Sequence, residues 1–225
     1  MKLNPISKEE AARYMGVKGV PDGRISEIID RCEIIVRESV RPKYVYRKTT
    51  VDFVADGVML GGINTVLSGK DIKKHLSGCT EAIVMAVTLS AEADKLIRRT
   101  AVTDMAEALA VDCLCSAGVE QVCNRAEEEI FENIKTKYRT WRFSAGYGDL
   151  PLDIQKDLLI FLNAQRRIGL TVTENSLLIP SKSVTAIIGI SEKPVERGKK
   201  GCESCKMKGN CAFSAVGKTC SEGIE

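Results

Sequence analysis

Apolar side chains recur at helical spacing along some stretches of the chain and alternate with polar ones along others. The helical period predicts helices over residues 7–15, 24–40, 71–76, 91–99, 103–137 and 151–168. Ser7 and Glu10 have the spacing of a capping box, and Ser90 is expected to cap the helix that begins at residue 91. The long segment 103–137 is rich in small residues that allow close helix packing, with a bend expected near Gly118.

Strands are predicted where β-branched and aromatic residues alternate with polar ones or where apolar residues run on. Segment 43–54, an Asp56-Gly57 turn and segment 58–60 together predict a hairpin. Further strands are expected over residues 63–67, 82–89, 170–178 and 184–190, and 82–89 is the best candidate for a buried one. Helices and strands come in blocks, so the predicted class is α+β, a bent, mostly antiparallel sheet with flanking helices.

Residues 142–151 form a loop between two helical segments. The loop contains an Arg, a Tyr and two Gly, residues that a plain linker does not need. Gly146 and Gly148 can take positive φ and so allow a ligand to approach bare backbone. Asp149 and Pro151 predict the start of the next helix, with Asp149 at or beside the N-cap. The unpaired N–H groups of that first turn would point back toward the loop, so we predict a binding loop.

Composition and charge narrow the class of protein. The chain has 225 residues, 44% of them hydrophobic, which is enough to bury a core. Its net charge of +3 is too small to indicate binding to nucleic acid or to an acidic membrane surface. No apolar stretch approaches the length of a membrane span, and residues 1–16 lack the apolar segment of a secretory signal, so a cytoplasmic location is expected.

The nine cysteines are unevenly distributed. Five lie in apolar or helical segments, where a reduced thiol packs as a small hydrophobic group. The other four have the spacing x2, x5 and x8, and they are Cys202, Cys205, Cys211 and Cys220. A CxxC pair with two further thiolates suits a four-ligand metal site, either zinc or an iron–sulfur cluster, although the spacing matches neither a zinc ribbon nor a bacterial ferredoxin. A thiol-rich tail without metal is the alternative, and residues 192–225 are predicted to be a linker and Cys-rich tail beside a domain of residues 1–191.

Three short motifs follow one another between residues 142 and 184. The first is Arg, three small or variable residues and Gly-Tyr, the second is Ile-Gly followed by Thr-Glu, and the third is Pro-x-x-Ser-Val. Their residues are Arg142, Gly146, Tyr147, Ile168, Gly169, Thr173, Glu174, Pro180, Ser183 and Val184. This succession resembles the activation (reactivation) domain of cobalamin-dependent methionine synthase. Segments 68–90 and 116–122 resemble its free-standing members, so the likeness covers residues 69–191.

The resemblance implies that the chain binds S-adenosylmethionine without a catalytic side chain. Arg142 would hold the ligand's carboxylate, and Ala145 and Gly146 would leave room for its adenosine and the chain near the sulfonium. Tyr147 would stack on the base or face the sulfonium. Glu120 would hold the ammonium, with Glu107 as a rival. The only histidine, His75, is expected to have a surface or capping role.

The resemblance also implies the partners and the reaction. Cobalamin would be carried by a separate methionine synthase that lacks its own activation domain, or by a related corrinoid protein, and a flavodoxin-like or ferredoxin-like donor would supply the electron. The role would be reductive remethylation of inactivated cobalamin in methionine biosynthesis. The family's early acidic residue and late Tyr-Tyr segment have no counterpart that the sequence identifies.

Two other classes of function stay open at this level. In one, the Cys-rich tail carries an iron–sulfur cluster or zinc, and the protein donates electrons to, or docks on, another corrinoid methyltransferase. In the other, the chain is an interaction module that keeps the fold without the ligand. Binding of S-adenosylmethionine and the metal content of the purified protein would separate the three classes.

Overall fold

The computed structural model describes residues 1–17, 21–136 and 138–195. The Cys-rich tail with its four predicted metal ligands lies outside the described residues. The chain divides into two compact units. The first consists of Met1–Val45, Ala86–Ile134 and Asn163–Val184, and the second of Tyr46–Met85, Lys135–Leu162 and the described residues from Thr185 onward.

The helices largely follow the predicted segments. They are α1 (Lys8–Tyr14), α2 (Gly23–Ser39), α3 (Lys70–His75), α4 (Ala91–Thr103), α5 (Met105–Ile134), α6 (Gln155–Leu162) and α7 (Ala164–Ile168), with a 3-10 turn over Leu152–Ile154. The strands are β1 (Lys43–Val54), β2 (Gly57–Leu60), β3 (Leu67–Ser68), β4 (Glu81–Thr88), β5 (Tyr138–Arg139), β6 (Thr171–Val172), β7 (Leu178–Ile179) and β8 (Ser183–Ser191).

Local capping residues fix where the first two helices begin. Ser7 Oγ accepts a hydrogen bond from Glu10 N at 3.1 Å, as the predicted capping box requires. Asp22 Oδ1 does the same for Ile25 N at 2.8 Å at the start of α2. Ser90 is the N-cap residue of α4, as predicted, but its side chain makes no capping hydrogen bond, because its hydroxyl donates instead to the carbonyl of Arg41.

Helix α5 forms the centre of the first unit. It begins later than predicted because Asp104 separates it from α4 and accepts hydrogen bonds from the N–H groups of Ala106 and Glu107 at 2.7 and 3.1 Å. Gly118 lies on its buried side, where a Cβ would be 3.2 Å from Leu3 Cδ1. The small residue therefore lets the N-terminal segment pack directly on the α5 backbone.

Most residues of the six-stranded sheet belong to the second unit. Its strand order is β3-β2-β1-β4-β8-β5, and the recorded pairings β1–β2, β2–β3 and β5–β8 are all antiparallel. Strand β4 is buried along nearly its whole length, as its apolar sequence predicts. The α+β class with a mostly antiparallel sheet is thereby confirmed, whereas the division at residue 191 stays a prediction.

Three predicted elements differ in the structure. The strand expected over 63–67 is reduced to β3, and the segment 170–178 forms one arm and the turn of a two-stranded hairpin, β6–β7. The helix expected over 151–168 is divided into the 3-10 turn, α6 and α7. Asn163 interrupts it in the left-handed region at φ +52, a conformation that Asn adopts more readily than most residues. No helix among the described residues is long and apolar enough to cross a membrane.

Candidate functional site

The loop that follows Arg142 is fastened to the sheet at its first residue. Phe143 N–H donates to the Ile187 carbonyl of β8 at 2.9 Å, and Ile187 N–H donates to the Phe143 carbonyl at 2.8 Å. The loop then closes on itself, since Gly146 N–H donates to the Leu150 carbonyl and Leu150 N–H to the Tyr147 carbonyl, both at 3.0 Å. These bonds leave a compact loop with a fixed path rather than a free linker.

The two glycines of this loop have the backbone conformation that the sequence predicts. Gly146 has φ +85 and Gly148 has φ +52, both in the left-handed region that favours glycine. A Cβ on Gly146 would be 3.3 Å from Leu152 Cδ1, so the 3-10 turn packs closely against the loop. Gly146 is nevertheless exposed to solvent.

The predicted ligand-binding residues of the loop differ in exposure. Arg142 is 8% exposed, so the guanidinium belongs to the buried base of the loop, while Ala145 is half-buried. Tyr147 is 49% exposed and stands at the outer end. The loop therefore combines a buried cation, open glycine backbone and an accessible aromatic ring within six residues of sequence.

An aromatic cluster supports the ring of Tyr147. Its centroid lies 6.1 Å from that of Trp141 and 5.9 Å from that of Phe143. His75 of α3 contacts the other side of the cluster, with centroids 4.8 Å from both Trp141 and Phe143. Ring pairs at these separations are attractive, so the cluster ties the loop to α3.

The surface role expected for His75 is wrong. Its ring is half-buried, and Nε2 lies 2.8 Å from Thr140 Oγ1, which also accepts a hydrogen bond from Gly189 N–H at 2.8 Å. Desolvation lowers the pKa of His75 to about 4, although backbone hydrogen bonds to Trp141 and Ile187 act in the opposite direction. At neutral pH the ring is therefore uncharged and serves as part of the aromatic cluster.

Asp149 caps a helix, but not the one predicted. Its carboxylate accepts hydrogen bonds from the N–H groups of Lys70 at 2.6 Å and Asp71 at 3.0 Å, at the start of α3. Helix α3 needs this acceptor because its own N-cap residue, Gly69, has no side chain. The 3-10 turn after the loop has Pro151 at its N-cap and no side-chain cap.

Gln155 at the start of α6 is a polar residue that the sequence prediction did not single out. It is 7% exposed, and its Oε1 accepts a hydrogen bond from Thr185 Oγ1 of β8 at 2.5 Å. The signal was present in the helical pattern, because Gln155 falls on the apolar side of the segment together with Leu158 and Leu159. A polar side chain on a buried helix face calls for a hydrogen-bonding partner.

Glu120, predicted to hold an ammonium group, lies on α5 in the first unit and is half-buried. The pKa of Glu10 on α1 is raised, first by burial, with the Glu120 carboxylate adding to the rise. The rival Glu107 forms an ion pair with Arg31, Oε1 to Nη2 at 2.6 Å. The structure thus brings Arg142, Ala145, Gly146 and Tyr147 together in the second unit, while Glu120 belongs to the other one.

The predicted metal ligands Cys202, Cys205, Cys211 and Cys220 lie outside the described residues. Within residues 1–17, 21–136 and 138–195, no group of three or more His, Cys, Asp or Glu side chains is placed to hold a metal ion. The five cysteines described there are buried and form no disulfide, as predicted. Burial raises the pKa of Cys79 to about 11 and that of Cys115 to about 12, so these thiols stay protonated at neutral pH.

Comparison with known proteins gives a family and a fold. Residues 61–195 match the model of the family described as vitamin B12 dependent methionine synthase, activation domain. Thirteen chains of solved structures match, among them the crystal structure of the MetH reactivation domain bound to AdoHcy, with a TM-score of 0.66 and 15% identity. That alignment covers 88% of this chain and 76% of the other. No curated protein sequence matches the chain.

Proposed function

The chain belongs to the family of vitamin B12-dependent methionine synthase activation domains, and we propose that it binds S-adenosylmethionine at the loop of residues 142–147. In this role it supports the reductive methylation of cobalamin carried by a separate methionine synthase or a related corrinoid protein. The solved relative was crystallised with AdoHcy, the demethylated form of this ligand, which supports the choice.

The observation that carries the proposal is the set of groups that the loop of residues 142–147 contains. The planar guanidinium of Arg142 matches a carboxylate by two parallel hydrogen bonds and stays charged at any physiological pH. Gly146 has no Cβ and an exposed backbone, so a ligand can contact its peptide groups directly. The half-exposed ring of Tyr147 offers a face for an adenine base or for the sulfonium.

The chain's task in this reaction is positioning. An external flavodoxin-like or ferredoxin-like donor would first reduce the partner's cobalamin by one electron. The bound ligand would then transfer the methyl group of its sulfonium to the reduced cobalt, and S-adenosylhomocysteine would remain. No proton has to be moved by the protein, so no side-chain base is needed. The residues of the loop hold the amino-acid and nucleoside ends so that the methyl group is presented in one orientation.

Two further assignments are part of this proposal. Glu120 is the predicted partner of the ligand's ammonium, and Glu107, which forms an ion pair with Arg31, is its rival. The cysteines at positions 202, 205, 211 and 220 are the predicted ligands of a zinc ion or an iron–sulfur cluster. Glu120→Gln and a metal analysis test these assignments separately from the loop.

Calorimetric titration with S-adenosylmethionine and S-adenosylhomocysteine tests the proposal. We expect saturable binding by the wild type and a loss of affinity of about 10- to 100-fold in Arg142→Ala, the value of a charge-assisted pair. Tyr147→Ala should also weaken binding, because it removes the exposed ring, and thermal unfolding verifies that this variant is folded. The exposed Arg166→Ala of α7 is the matched control and should bind like the wild type.

Two outcomes of the titration would contradict the proposal. Absence of binding by a folded wild-type protein would overturn the proposal, and equal affinities of the wild type and Arg142→Ala would overturn the site. Trp141, the only tryptophan, lies 6.1 Å from Tyr147 between ring centroids, so its fluorescence provides a second measure of binding. A pull-down from native extract would identify the corrinoid partner.

A further inference from the structure

The strand that leads into the candidate binding loop contains one residue more than its partner. In the ladder between β5 and β8, Arg139 lies opposite Ile190, and further along Phe143 lies opposite Ile187. Three residues of the loop strand, ending with Arg142, therefore face only two residues of β8, which is a β-bulge. A bulge changes the direction of the side chains that it contains. The orientation of the predicted carboxylate ligand thus depends on this bulge.

The side chain of Thr140 takes part in the backbone ladder at the bulge. Gly189 N–H of β8 donates to Thr140 Oγ1 at 2.8 Å, and Thr140 N–H donates to the Gly189 carbonyl at 3.0 Å. Thr140 is 4% exposed, so this pair is shielded from water. The hydroxyl therefore satisfies a buried N–H of β8 at the point where the extra residue interrupts the regular pairing.

His75 is the next group in this series of hydrogen bonds. The Thr140 hydroxyl has one proton, and His75 Nε2 at 2.8 Å is nearer to its oxygen than the Trp141 carbonyl at 3.3 Å. The ring is uncharged at neutral pH, because burial lowers the pKa of His75 to about 4. A neutral imidazole with its proton on Nδ1 accepts a hydrogen bond at Nε2. The hydroxyl can then accept from Gly189 and donate to His75 at the same time.

Helix α3 contacts the loop strand on both sides of Arg142 in sequence. The ring centroids of Trp141 and Phe143 each lie 4.8 Å from that of His75, at the end of this helix. At the beginning of the helix, its first N–H groups donate to the Asp149 carboxylate. All of these residues belong to the second unit. A change at His75 therefore reaches Arg142 through its two neighbours.

We propose that His75 is a positioning residue of the candidate site, whose Nε2 accepts the proton of Thr140 and so holds the bulge that directs Arg142 toward the carboxylate of the ligand. This inference rests on the proposed function, because Arg142 and its ligand are taken from there. His75 does not touch the ligand in this scheme. It keeps the guanidinium in the orientation in which two parallel hydrogen bonds to a carboxylate can form.

Calorimetric titration of four variants with S-adenosylhomocysteine tests the inference. Thr140→Val removes the hydroxyl and keeps the shape of the side chain, whereas Thr140→Ser keeps the hydroxyl. His75→Phe keeps a ring without the acceptor, and His75→Gln keeps an acceptor without the ring. Thr50→Val, at an exposed position of β1 in the same unit, is the control. Thermal unfolding verifies that each variant is folded.

We expect Thr140→Val and His75→Phe to bind about tenfold more weakly than the wild type, the value of one hydrogen bond. Thr140→Ser and His75→Gln should recover most of that loss, because each keeps the hydrogen bond. Wild-type affinity in folded Thr140→Val and His75→Phe would overturn this inference and leave the proposed function intact. An equal loss in all four variants would indicate a packing role and would also overturn it. Failure of the wild type to bind would overturn both proposals.

A double-mutant cycle tests whether the effect passes through Arg142. If the Thr140 hydroxyl acts by orienting the guanidinium, Thr140→Val should cause no further loss of affinity in the Arg142→Ala protein. A further tenfold loss in that protein would overturn the positioning role.

The nitrogen signals of the His75 ring in NMR spectra test the hydrogen bond itself. His75 is the only histidine of the chain, so these signals need no assignment. We expect the proton on Nδ1 in the wild type at neutral pH, with Nε2 as an acceptor whose signal shifts in Thr140→Val. A proton on Nε2 would overturn the proposed direction of the bond.

Discussion

Asp149 and Asp71 each hold the backbone N–H of the other. Asp149 Oδ1 accepts from Asp71 N at 3.0 Å, and Asp71 Oδ2 accepts from Asp149 N at 3.2 Å. Asp149 Oδ2 also accepts from Lys70 N at 2.6 Å. This reciprocal pair fastens the far end of the candidate binding loop to the first turn of α3, as the Phe143–Ile187 bridge fastens its near end to β8.

Removal of the Asp149 carboxylate should destabilise the protein. Asp149→Ala leaves the N–H groups of Lys70 and Asp71 without this acceptor, which costs about 1 kcal/mol for a helix cap. Urea denaturation should show that loss, and amide exchange at residues 70 and 71 should become faster. Asp153→Ala on the exposed side of the 3-10 turn is the control. Equal stabilities of these two variants would contradict the capping role.

Gly148 should tolerate a side chain less well than another glycine of similar backbone conformation. Gly148→Ala places a methyl group in the left-handed region and 2.8 Å from Asp71 Cβ, so it adds a clash to the backbone strain. Gly78→Ala has the same kind of φ, +76, but no atom within 4 Å of the new Cβ. We expect about 1 kcal/mol for Gly78→Ala and at least about 1 kcal/mol more for Gly148→Ala in denaturant unfolding. Equal losses would show that Asp71 moves aside at no cost.

His75 should make the stability depend on pH below neutrality. Its pKa is about 4 in the folded protein against an ordinary value of 6.5, so the unfolded chain binds the proton more readily. The contribution of the neutral ring is complete above pH 6.5 and is lost as the pH falls toward 4, by up to about 3 kcal/mol. His75→Phe retains an aromatic ring and should show a shallower decline of the unfolding free energy between pH 7 and pH 4. Parallel pH profiles of the two proteins would rule out this role.

The Cys-rich tail should bind metal in the purified protein. We expect either about one zinc per chain or iron with absorption between about 380 and 420 nm, since thiolate-to-iron charge transfer colours such clusters. Cys202→Ser and Cys205→Ser should lose the metal, whereas Cys113→Ala, a buried free thiol, should retain it. A wild-type protein without bound zinc or iron, purified with and without oxygen, would favour the tail without metal.

The parts that local sequence determines were predicted correctly. Ser7 caps α1 through a residue three positions away, β4 is buried because its residues are apolar throughout, and Gly146 takes positive φ because its turn requires it. Each of these depends on neighbours within a few positions. The loop of residues 142–151 and the backbone conformation of its glycines could therefore be predicted from the sequence alone, whereas its role in binding stays a prediction.

The predictions that were wrong concern residues whose contacts are distant in the sequence. Asp149 was expected to cap its own helix, but the helix that lacks a capping side chain is α3. His75 follows two lysines in sequence, yet its ring faces Trp141 and Phe143, which periodicity within α3 cannot reveal. The burial of Arg142 and the bond between Gln155 and Thr185 belong to the same class, because both need the packed sheet.

The reciprocal hydrogen bonds between Asp149 and Asp71 join positions 78 residues apart along the chain. The entropy of closing so long a segment has to be overcome before the loop acquires its shape, and contacts of this separation form late in folding. A synthetic peptide of residues 142–151 would carry the same side chains without that shape. Ligand affinity would then arise only when the sheet and α3 are both in place, which makes binding a sensitive measure of complete folding.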